Sequence, residues 1–369
     1  MTEDPAYLST QLITYLGNKR ALLPELNSAI ERVVARLGGR KLRALDAFAG
    51  SGVVSRLLKQ YCKVLISNDI EPYSAVIATC YLTNRTAVSC PELEAVVNAA
   101  NADADDGPAC SGAASGLFEE LYAPVDDRQI QRGERVFYSR RNARRLDRYC
   151  RFVRTLPAHL RPLLLGPLLS EASVHANTSG VFKGFYKDRA TGVGRFGGTH
   201  GDALSRILGE IRLTAPVLSR FECETRVTQG DAAAAAREHR DLDLAYFDPP
   251  YNQHPYGSNY FMLNLVVHYE RPLQVSGVSG IPRNWQRSDY NRRALACARL
   301  AELFDQTDAR FVLLSFSNEG FIPRNEIEAL LRRHGRVDVF ERPYNAFRGS
   351  RNLNHRALHL TEYLFLIER

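Results

Sequence analysis

The sequence contains no closely spaced pair of cysteines. Its seven cysteines are scattered, odd in number and free of any C-x-x-C pair; they are Cys62, Cys80, Cys90, Cys110, Cys150, Cys223 and Cys297. Disulfide-stabilised secreted domains and structural zinc sites both need paired or clustered cysteines. The distribution therefore argues against a disulfide framework and a zinc site, and it predicts a protein of a reducing compartment.

Long hydrophobic runs are absent as well. No apolar stretch approaches the ~20 residues that a helix needs to cross a bilayer, and residues 1–7 are polar and acidic, unlike a signal peptide. The chain has 369 residues, and chains beyond ~250–300 residues usually divide into more than one unit. We expect a cytoplasmic protein without membrane association, built from a large core and a second lobe.

Positive charge exceeds negative charge. The net charge is +7 and the pI is near 9.0, which favours a polyanionic partner, although mildly basic proteins without one are common. Ten arginines fall in 128–154, against the two acids Glu134 and Asp147, and residues 177–201 mix glycine with basic and aromatic residues. Both segments suit a surface that grips nucleic-acid phosphates, although arginines on a helix often form only a solvated face.

The N-terminal part predicts a βαβ unit. Its segments are a helix over 20–37, a buried strand over 42–48, the turn Ala49-Gly50-Ser51-Gly52, a helix from 53 and a second strand over 64–67 that ends at Asn68-Asp69. This order predicts a doubly wound α/β sheet whose glycine turn lies close to a ligand. Asp69 stands near the spacing at which an acid binds ribose hydroxyls. The turn lacks the full G-x-G-x-x-G, so NAD is the weaker choice of ligand.

The rest of the chain predicts one sheet with an insertion. Further strands are expected at 221–227, 242–247, 311–316 and 362–367, and a loop is expected at 98–116. The simplest organisation is one α/β domain made of residues 1–90 and 216–369, interrupted by an insert, 91–215.

The most informative segment is Asp248-Pro249-Pro250-Tyr251, which follows the apolar run 242–247. Proline fixes φ and donates no N–H, so the carbonyls of Asp248 and Pro249 are free to point at a ligand. The segment thus combines a carboxylate, carbonyl acceptors and a flat aromatic surface. That combination suits a planar base that carries an amino group.

Three motifs together resemble those of the DNA adenine amino-methyltransferases. They are Tyr15-Leu16-Gly17-Asn18-Lys19-Arg20, Phe48-Ala49-Gly50-Ser51-Gly52 and Asp248-Pro249-Pro250-Tyr251, with the insert before the last. The likeness covers residues 12–85 and 225–367. It implies a Rossmann-like methyltransferase sheet with an inserted, mainly helical DNA-recognition lobe that contains a hairpin loop.

The resemblance implies S-adenosylmethionine as the cofactor. Tyr15 and Lys19 match the residues that hold its methionine end, and Asp69 matches the acid on its ribose. The family's turn beneath the cofactor corresponds here to Asp46, Phe48, Gly50, Ser51 and Gly52. Asp248 is expected to border the same site. Asp231 matches a position near the cofactor adenine, with a helix cap as the alternative.

The insert carries the expected DNA contacts. Asn177-Thr178-Ser179-Gly180-Val181-Phe182 resembles the Asn-x-x-Gly-x-Phe hairpin of the family's DNA-reading lobe. The candidate contacts are Asn177, Lys183, Lys187, Arg141 and Arg144. Double-stranded DNA is the implied partner of a monomeric prokaryotic enzyme. The sequence leaves open whether a cognate restriction endonuclease belongs to the same system.

The implied reaction is methylation of the exocyclic amino group of adenine. Asp248 and the Pro249 carbonyl would accept the two hydrogens of that amine, while Tyr251 stacks on the flipped base. Residues 316–321 are expected to shape the base pocket, and residues 252–261 are expected to form a loop over it.

Several alternatives stay open at this point. They are exocyclic-amine methylation of cytosine, methylation of RNA or of a protein glutamine, a catalytically silent DNA-binding module and an NAD-dependent dehydrogenase. A cytosine ring-carbon methylase is disfavoured because the chain has no Pro-Cys nucleophile motif.

Overall fold

The computed structural model describes residues 2–105, 115–198, 201–345 and 359–369. Within these ranges no helix has the length and apolar character that a membrane span requires. Residues 106–114 of the predicted loop, together with Cys110, lie outside the described residues.

The strands of the described residues form one sheet. They are β1 (Leu42–Asp46), β2 (Cys62–Asp69), β3 (Glu224–Gln229), β4 (Leu242–Phe247), β5 (Ala309–Ser317), β6 (Arg336–Asn345) and β7 (His359–Glu368). Their spatial order is β3-β2-β1-β4-β5-β7-β6. Strands β1 to β5 pair in parallel, and β7 runs antiparallel to β5 and β6. The predicted α/β class is confirmed.

The sheet order reverses direction between β1 and β4. In register, Asp46 at the end of β1 lies beside Ser67 of β2 and Tyr246 of β4. In open α/β sheets, ligands bind outside the carboxyl ends of the strands at such a reversal. The fold therefore brings the ends of β1, β2 and β4 to one crevice.

Helices cover the sheet and build the insert. They are α1 (Pro5–Ser9), α2 (Leu23–Arg36), α3 (Val53–Lys59), α4 (Pro72–Tyr81), α5 (Cys90–Asp105), α6 (Leu117–Leu121), α7 (Arg140–Thr155), α8 (Arg161–Val174), α9 (Leu204–Leu208), α10 (Ala232–Glu238), α11 (Tyr256–Asn259), α12 (Phe261–His268), α13 (Arg293–Gln306) and α14 (Arg324–Arg332). The predicted helix 20–37 is present as α2 after a short 3-10 turn. Its buried residues Leu26, Ala29, Ile30 and Val33 recur at the spacing of one helix face.

The prediction of a loop from residue 98 is wrong, because α5 continues to Asp105. Val97, Ala100, Asn101 and Ala104 are buried along one face of this helix. Alanine is the strongest helix former and pays no side-chain entropy in a helix. The small residues that suggested a loop therefore extend the helix.

Strand β6 was not predicted from the sequence. It pairs only with β7, at the edge of the sheet, and its side chains are mostly half-exposed. Pro343 in this strand is a residue that sheets tolerate only at edges or bulges. Without a buried apolar pattern, a strand of this kind leaves little signal in the sequence.

The insert shares a core with the catalytic sheet. One cluster of buried residues includes Tyr73 and Ile77 of α4 together with Leu146 of α7 and Leu168 of α8. Phe261 of α12, which follows the Asp-Pro-Pro-Tyr segment in sequence, belongs to the same cluster. In the described residues, the predicted insert 91–215 is therefore packed continuously against the rest of the chain.

Candidate active site

The glycine turn after β1 lies at the N-terminus of α3. Gly50 and Gly52 have φ values of +52° and +74°, which favour glycine. The Gly50 N–H donates to the Asp69 carboxylate at 2.7 Å, which ties the turn to the end of β2. A Cβ on Gly50 would stand only 3.0 Å from the Tyr15 ring, so the turn and Tyr15 are closely apposed.

Asp46 lies beneath this turn and does not line the cleft. It is fully buried, and its carboxylate accepts a hydrogen bond from Ser55 at 2.6 Å. Burial raises the pKa of Asp46 to about 7, although the Ser55 hydrogen bond opposes the shift. Its position indicates support of the turn from below and not direct contact with a cofactor.

The Asp-Pro-Pro-Tyr segment leaves the end of β4 and enters the same cleft. Asp248 forms an ion pair with Lys19 at 3.0 Å, and Lys19 forms a second with Glu362 at 2.8 Å. Burial and Glu362 raise the pKa of Asp248, Lys19 lowers it, and the result is a pKa of about 6. Burial acts to lower the pKa of Lys19, but the two carboxylates outweigh it and raise that pKa well above its ordinary value.

Tyr251 lies on the other side of the double proline. Its ring contacts Phe316 at 5.8 Å between centroids, and its carbonyl accepts from the Phe321 N–H at 2.8 Å. The Lys19 Nζ lies 5.8 Å from the Tyr251 ring centroid. Phe316 and Phe321, from the segment expected to shape the base pocket, thus lie against Tyr251.

One open cleft joins most of the predicted cofactor residues. The predicted residues that line it are Tyr15, Lys19, Phe48, Gly50, Ser51, Asp69, Asp231, Asp248 and Pro250. Pro249 is buried, and Gly52 is the N-cap residue of α3 behind the turn. Asp231 caps α10 by accepting from the N–H groups of Ala233 and Ala234, and it also borders the cleft. Both interpretations of Asp231 are thus compatible with its position.

The cleft also contains residues that the sequence did not suggest. Burial raises the pKa of Glu71 to about 8, although a hydrogen bond from Asn264 at 2.8 Å opposes the shift. A second group from one segment is Gln286, Ser288, Tyr290 and Asn291. Tyr290 meets the predicted Phe48 edge to face at 5.2 Å between ring centroids. No periodic pattern marks this segment in the sequence, so only the folded chain reveals it.

The expected loop over the base is mostly helical. Residues 256–259 form α11, and Phe261 begins α12 in the core. The rings of Tyr256 and Tyr260 stack on Tyr15 at 5.0 and 4.8 Å between centroids. Tyr260 also accepts from the Leu16 N–H at 2.7 Å. These contacts fix the segment against the N-terminal motif and leave only 252–255 as a short irregular connection.

The predicted DNA-contacting residues occupy different environments. Asn177 is fully buried; its amide donates to the carbonyls of Val136 and Arg195 and accepts from the Gly197 N–H. Asn177 therefore holds the hairpin together and presents no atom to DNA. Lys183 is exposed, and the Lys187 ammonium lies 4.8 Å from the Phe185 ring.

The two predicted arginines are already paired with acids. Arg144 donates to Glu119 at 2.8 Å, and Arg141 pairs with Glu210. Arg145 is buried and pairs with Asp105 and Glu210. Much of the arginine-rich helix α7 thus binds the insert together instead of forming an uncompensated cationic face. No group of three or more potential metal ligands occurs among the described residues.

The fold and the crevice define a methyltransferase of the Rossmann-like class. The model of the D12 class N6 adenine-specific DNA methyltransferase family matches residues 15–107 and 119–319. The chain belongs to this family of DNA methyltransferases, as the three motifs predict. Membership favours a methyltransferase over the NAD-dependent dehydrogenase that the sequence left open.

Similar proteins support the same assignment. The chain is 26% identical over 366 residues to the type II methyltransferase M.NlaIII of Neisseria lactamica, covering 97% of this chain and 99% of that protein. It is 26% identical over 360 residues to the type II methyltransferase M.CviAII of Paramecium bursaria Chlorella virus 1, covering 96% and 98%. It is also 26% identical over 372 residues to modification methylase StsI of Streptococcus sanguinis. That alignment covers 96% of this chain and 52% of StsI.

Proposed function

We propose that the protein transfers the methyl group of S-adenosylmethionine to the exocyclic amine of adenine at a specific site in double-stranded DNA. The observation that carries this proposal is the position of Asp248, which faces one cleft together with the glycine turn and Asp69. The carboxylate proposed for the target amine and the residues proposed for the methyl donor thus line the same cleft.

The residues of the cleft fit S-adenosylmethionine. The tight approach of Gly50 to Tyr15 leaves backbone and not side chain at the turn, where a ligand can lie close. The Asp69 carboxylate, which borders the cleft at the end of β2, suits the ribose hydroxyls. Tyr15, Lys19 and Ser51 would hold the methionine end. When bound, the cofactor supplies an electrophilic methyl group on a sulfonium.

The chemistry requires a better nucleophile than free adenine. The lone pair of the exocyclic nitrogen is delocalised into the ring, and hydrogen bonds from its two hydrogens to Asp248 and the Pro249 carbonyl favour tetrahedral geometry. Once it carries the methyl group, the nitrogen would have to lose one proton to a nearby base. Asp248, whose burial raises its pKa to about 6, would take that proton.

The base has to leave the helix for this geometry. Tyr251, next to Phe316, supplies a face on which a flipped base would stack. Lys183 and Lys187 on the hairpin would hold the phosphates of the duplex. We further propose that the enzyme acts as a monomer and is paired with a restriction endonuclease of the same specificity, in the cytoplasm of its host.

The test is transfer of labelled methyl groups to duplex DNA by the wild type and by Asp248→Ala. We expect the variant to lose transfer at least about 100-fold while it still binds DNA and S-adenosylmethionine. Asp103→Ala, which removes an exposed carboxylate of α5, serves as the control. Mass spectrometry of the digested DNA identifies the methylated base.

Each alternative has its own outcome. N4-methylcytosine in place of N6-methyladenine would assign the enzyme to the cytosine amine. A folded wild type that binds DNA and S-adenosylmethionine but methylates no duplex would favour the silent binding module. Transfer by Asp248→Ala at the wild-type rate would remove the proposed mechanism.

A further inference from the structure

Lys19 is held between two carboxylates at the edge of the cleft. Its Nζ lies 3.0 Å from Asp248 Oδ1 and 2.8 Å from Glu362 Oε1. We propose that Glu362 is a positioning residue for methyl transfer, which shares Lys19 with Asp248 and thereby keeps Asp248 a strong hydrogen-bond acceptor. This inference rests on the proposed function, because it assigns Asp248 to the target amine.

The antiparallel strand β7 explains how Glu362 reaches this place. Because β7 runs opposite to β5, its first half lies at the carboxyl ends of the parallel strands, and Glu362 is in register with Ser317. On its other side the register partner is Arg342, but that guanidinium pairs with Glu25. The side chain of Glu362 is 4% exposed, so its cationic partner is the equally buried Lys19, at 5%.

The balance of charge gives Glu362 a function in catalysis. One ammonium serves two carboxylates, so the three groups together carry a net charge of −1 when both acids are ionised. If Lys19 paired with Asp248 alone, its ammonium would neutralise that carboxylate and weaken its attraction for the hydrogens of an amine. The ion pair with Glu362 offsets part of the ammonium's charge. The Asp248 carboxylate then accepts hydrogen bonds from the target amine more strongly.

The protonation of Asp248 reports this balance. Burial raises the pKa of Asp248 first, Lys19 then lowers it, and Glu362 raises it again, to about 6. Neutralising Glu362 removes one of the raising influences, so Asp248 would lose its proton at lower pH. The other titratable or charged groups that act on Asp248, on Lys19 or on a neighbour of Asp248 are Asp46, Asp69, Tyr246, Tyr251 and Tyr256.

The experiment compares the pH dependence of kcat for the wild type and Glu362→Gln. The amide preserves the size of the side chain, and Lys19 retains its ion pair with Asp248. In the wild type, activity should fall below a pH of about 6, where Asp248 becomes protonated. In Glu362→Gln we expect this acid limb to move down by about one pH unit and kcat at pH 8 to fall about 10-fold, with unchanged affinity for S-adenosylmethionine and DNA.

Glu368→Gln is the matched control. It makes the same chemical change in the same strand, but Glu368 pairs with Arg36 at the surface. We expect its acid limb and its kcat to equal those of the wild type.

The pH profile separates positioning from a merely structural role. A lower kcat with an unmoved acid limb would show that Glu362 only supports the fold, and unchanged activity would show that it has no role; either result overturns the proposal. If Glu362→Gln does not fold, Glu362→Asp replaces it, because its retracted carboxylate should move the limb in the same direction by less. A wild type that binds both ligands and transfers no methyl would instead refute the proposed function.

Discussion

The main chain of Gln286 crosses directly over Gly257. A Cβ on Gly257 would lie 2.4 Å from the Gln286 carbonyl oxygen and 2.9 Å from Glu71 Oε1. Since Gly257, Gln286 and Glu71 all line the proposed cofactor cleft, an added methyl group must displace one wall of it. Gly257→Ala should therefore weaken the binding of S-adenosylmethionine about 10-fold or more, because overpacking costs about 1–3 kcal/mol. Isothermal titration calorimetry measures the change.

Gly277→Ala provides the control for Gly257→Ala. Gly277 belongs to the same part of the chain, but no atom lies within 4 Å of its added Cβ. We expect cofactor affinity equal to that of the wild type. Equal losses in both variants would mean that flexibility of the chain, and not crowding at Gln286, determines the affinity.

The buried carboxyl of Asp46 makes stability depend on pH. Burial raises its pKa from 3.8 to about 7 in the folded protein, so the native state binds a proton that the unfolded chain releases. Stability should therefore fall as pH rises from about 4 to about 7, by on the order of 3 kcal/mol from this group. Asp46→Asn removes this dependence, and the free energy of unfolding of the variant relative to wild type should rise over that interval.

Urea denaturation at pH 4.5 and pH 8 measures this difference. Ser55 still has an oxygen to which it can donate in the variant, so the comparison isolates the charge. Asp338→Asn, at a half-exposed carboxyl paired with Arg36, is the control. A variant-to-wild-type difference that is the same at both pH values would show that Asp46 has an ordinary pKa.

Local sequence patterns predicted those site residues that lie directly at the end of a strand. Asp69 and Asp248 each follow a buried apolar strand, and parallel strands bring such ends together. The glycine turn is likewise predictable from the sequence, because its glycines directly precede a helical pattern. For these residues, sequence order and spatial position are linked by the regular geometry of the βαβ unit.

The remaining parts of the site depend on long-range packing. Glu362 meets Lys19 only because β7 runs antiparallel beside β5. In the sequence it is one acid in an apolar strand, which gives no reason to link it with residue 19. Asn177 is the opposite case, a residue that the sequence predicted at the DNA contact but that packing places elsewhere. Its amide lies in the buried base of the hairpin.

Lys183 offers the clearest test of the hairpin. Its side chain is exposed, and its main-chain carbonyl accepts from Ser279 at 2.5 Å, which anchors the hairpin at that point. Lys183→Ala should weaken DNA binding and reduce the slope of log K against log salt by about 0.9, as expected for one lost phosphate contact. Fluorescence anisotropy at several salt concentrations gives both values.

Arg144→Ala is the comparison for Lys183→Ala. The Arg144 guanidinium already pairs with Glu119 at 2.8 Å, so it has less charge to offer a phosphate. Its removal should change the salt slope by less than the removal of Lys183. A larger change in the salt slope for Arg144→Ala than for Lys183→Ala would place the DNA on the face of α7 and not on the hairpin.

Two glycines of the proposed cofactor cleft differ in what surrounds them. Gly50 has a φ of +52°, and its added Cβ would lie 3.0 Å from Tyr15 Cε1, whereas Gly230 has no atom within 4 Å of its added Cβ. Gly50→Ala should therefore strain the turn by about 1–2 kcal/mol and push Tyr15 from its stack on Tyr256. We expect at least about a 10-fold loss of S-adenosylmethionine affinity, unchanged DNA affinity without cofactor, and wild-type behaviour for Gly230→Ala. Equal affinity in the two variants would show that the turn after β1 does not contact the cofactor, and the cofactor would then have to bind along the other wall of the cleft, at residues 286–291.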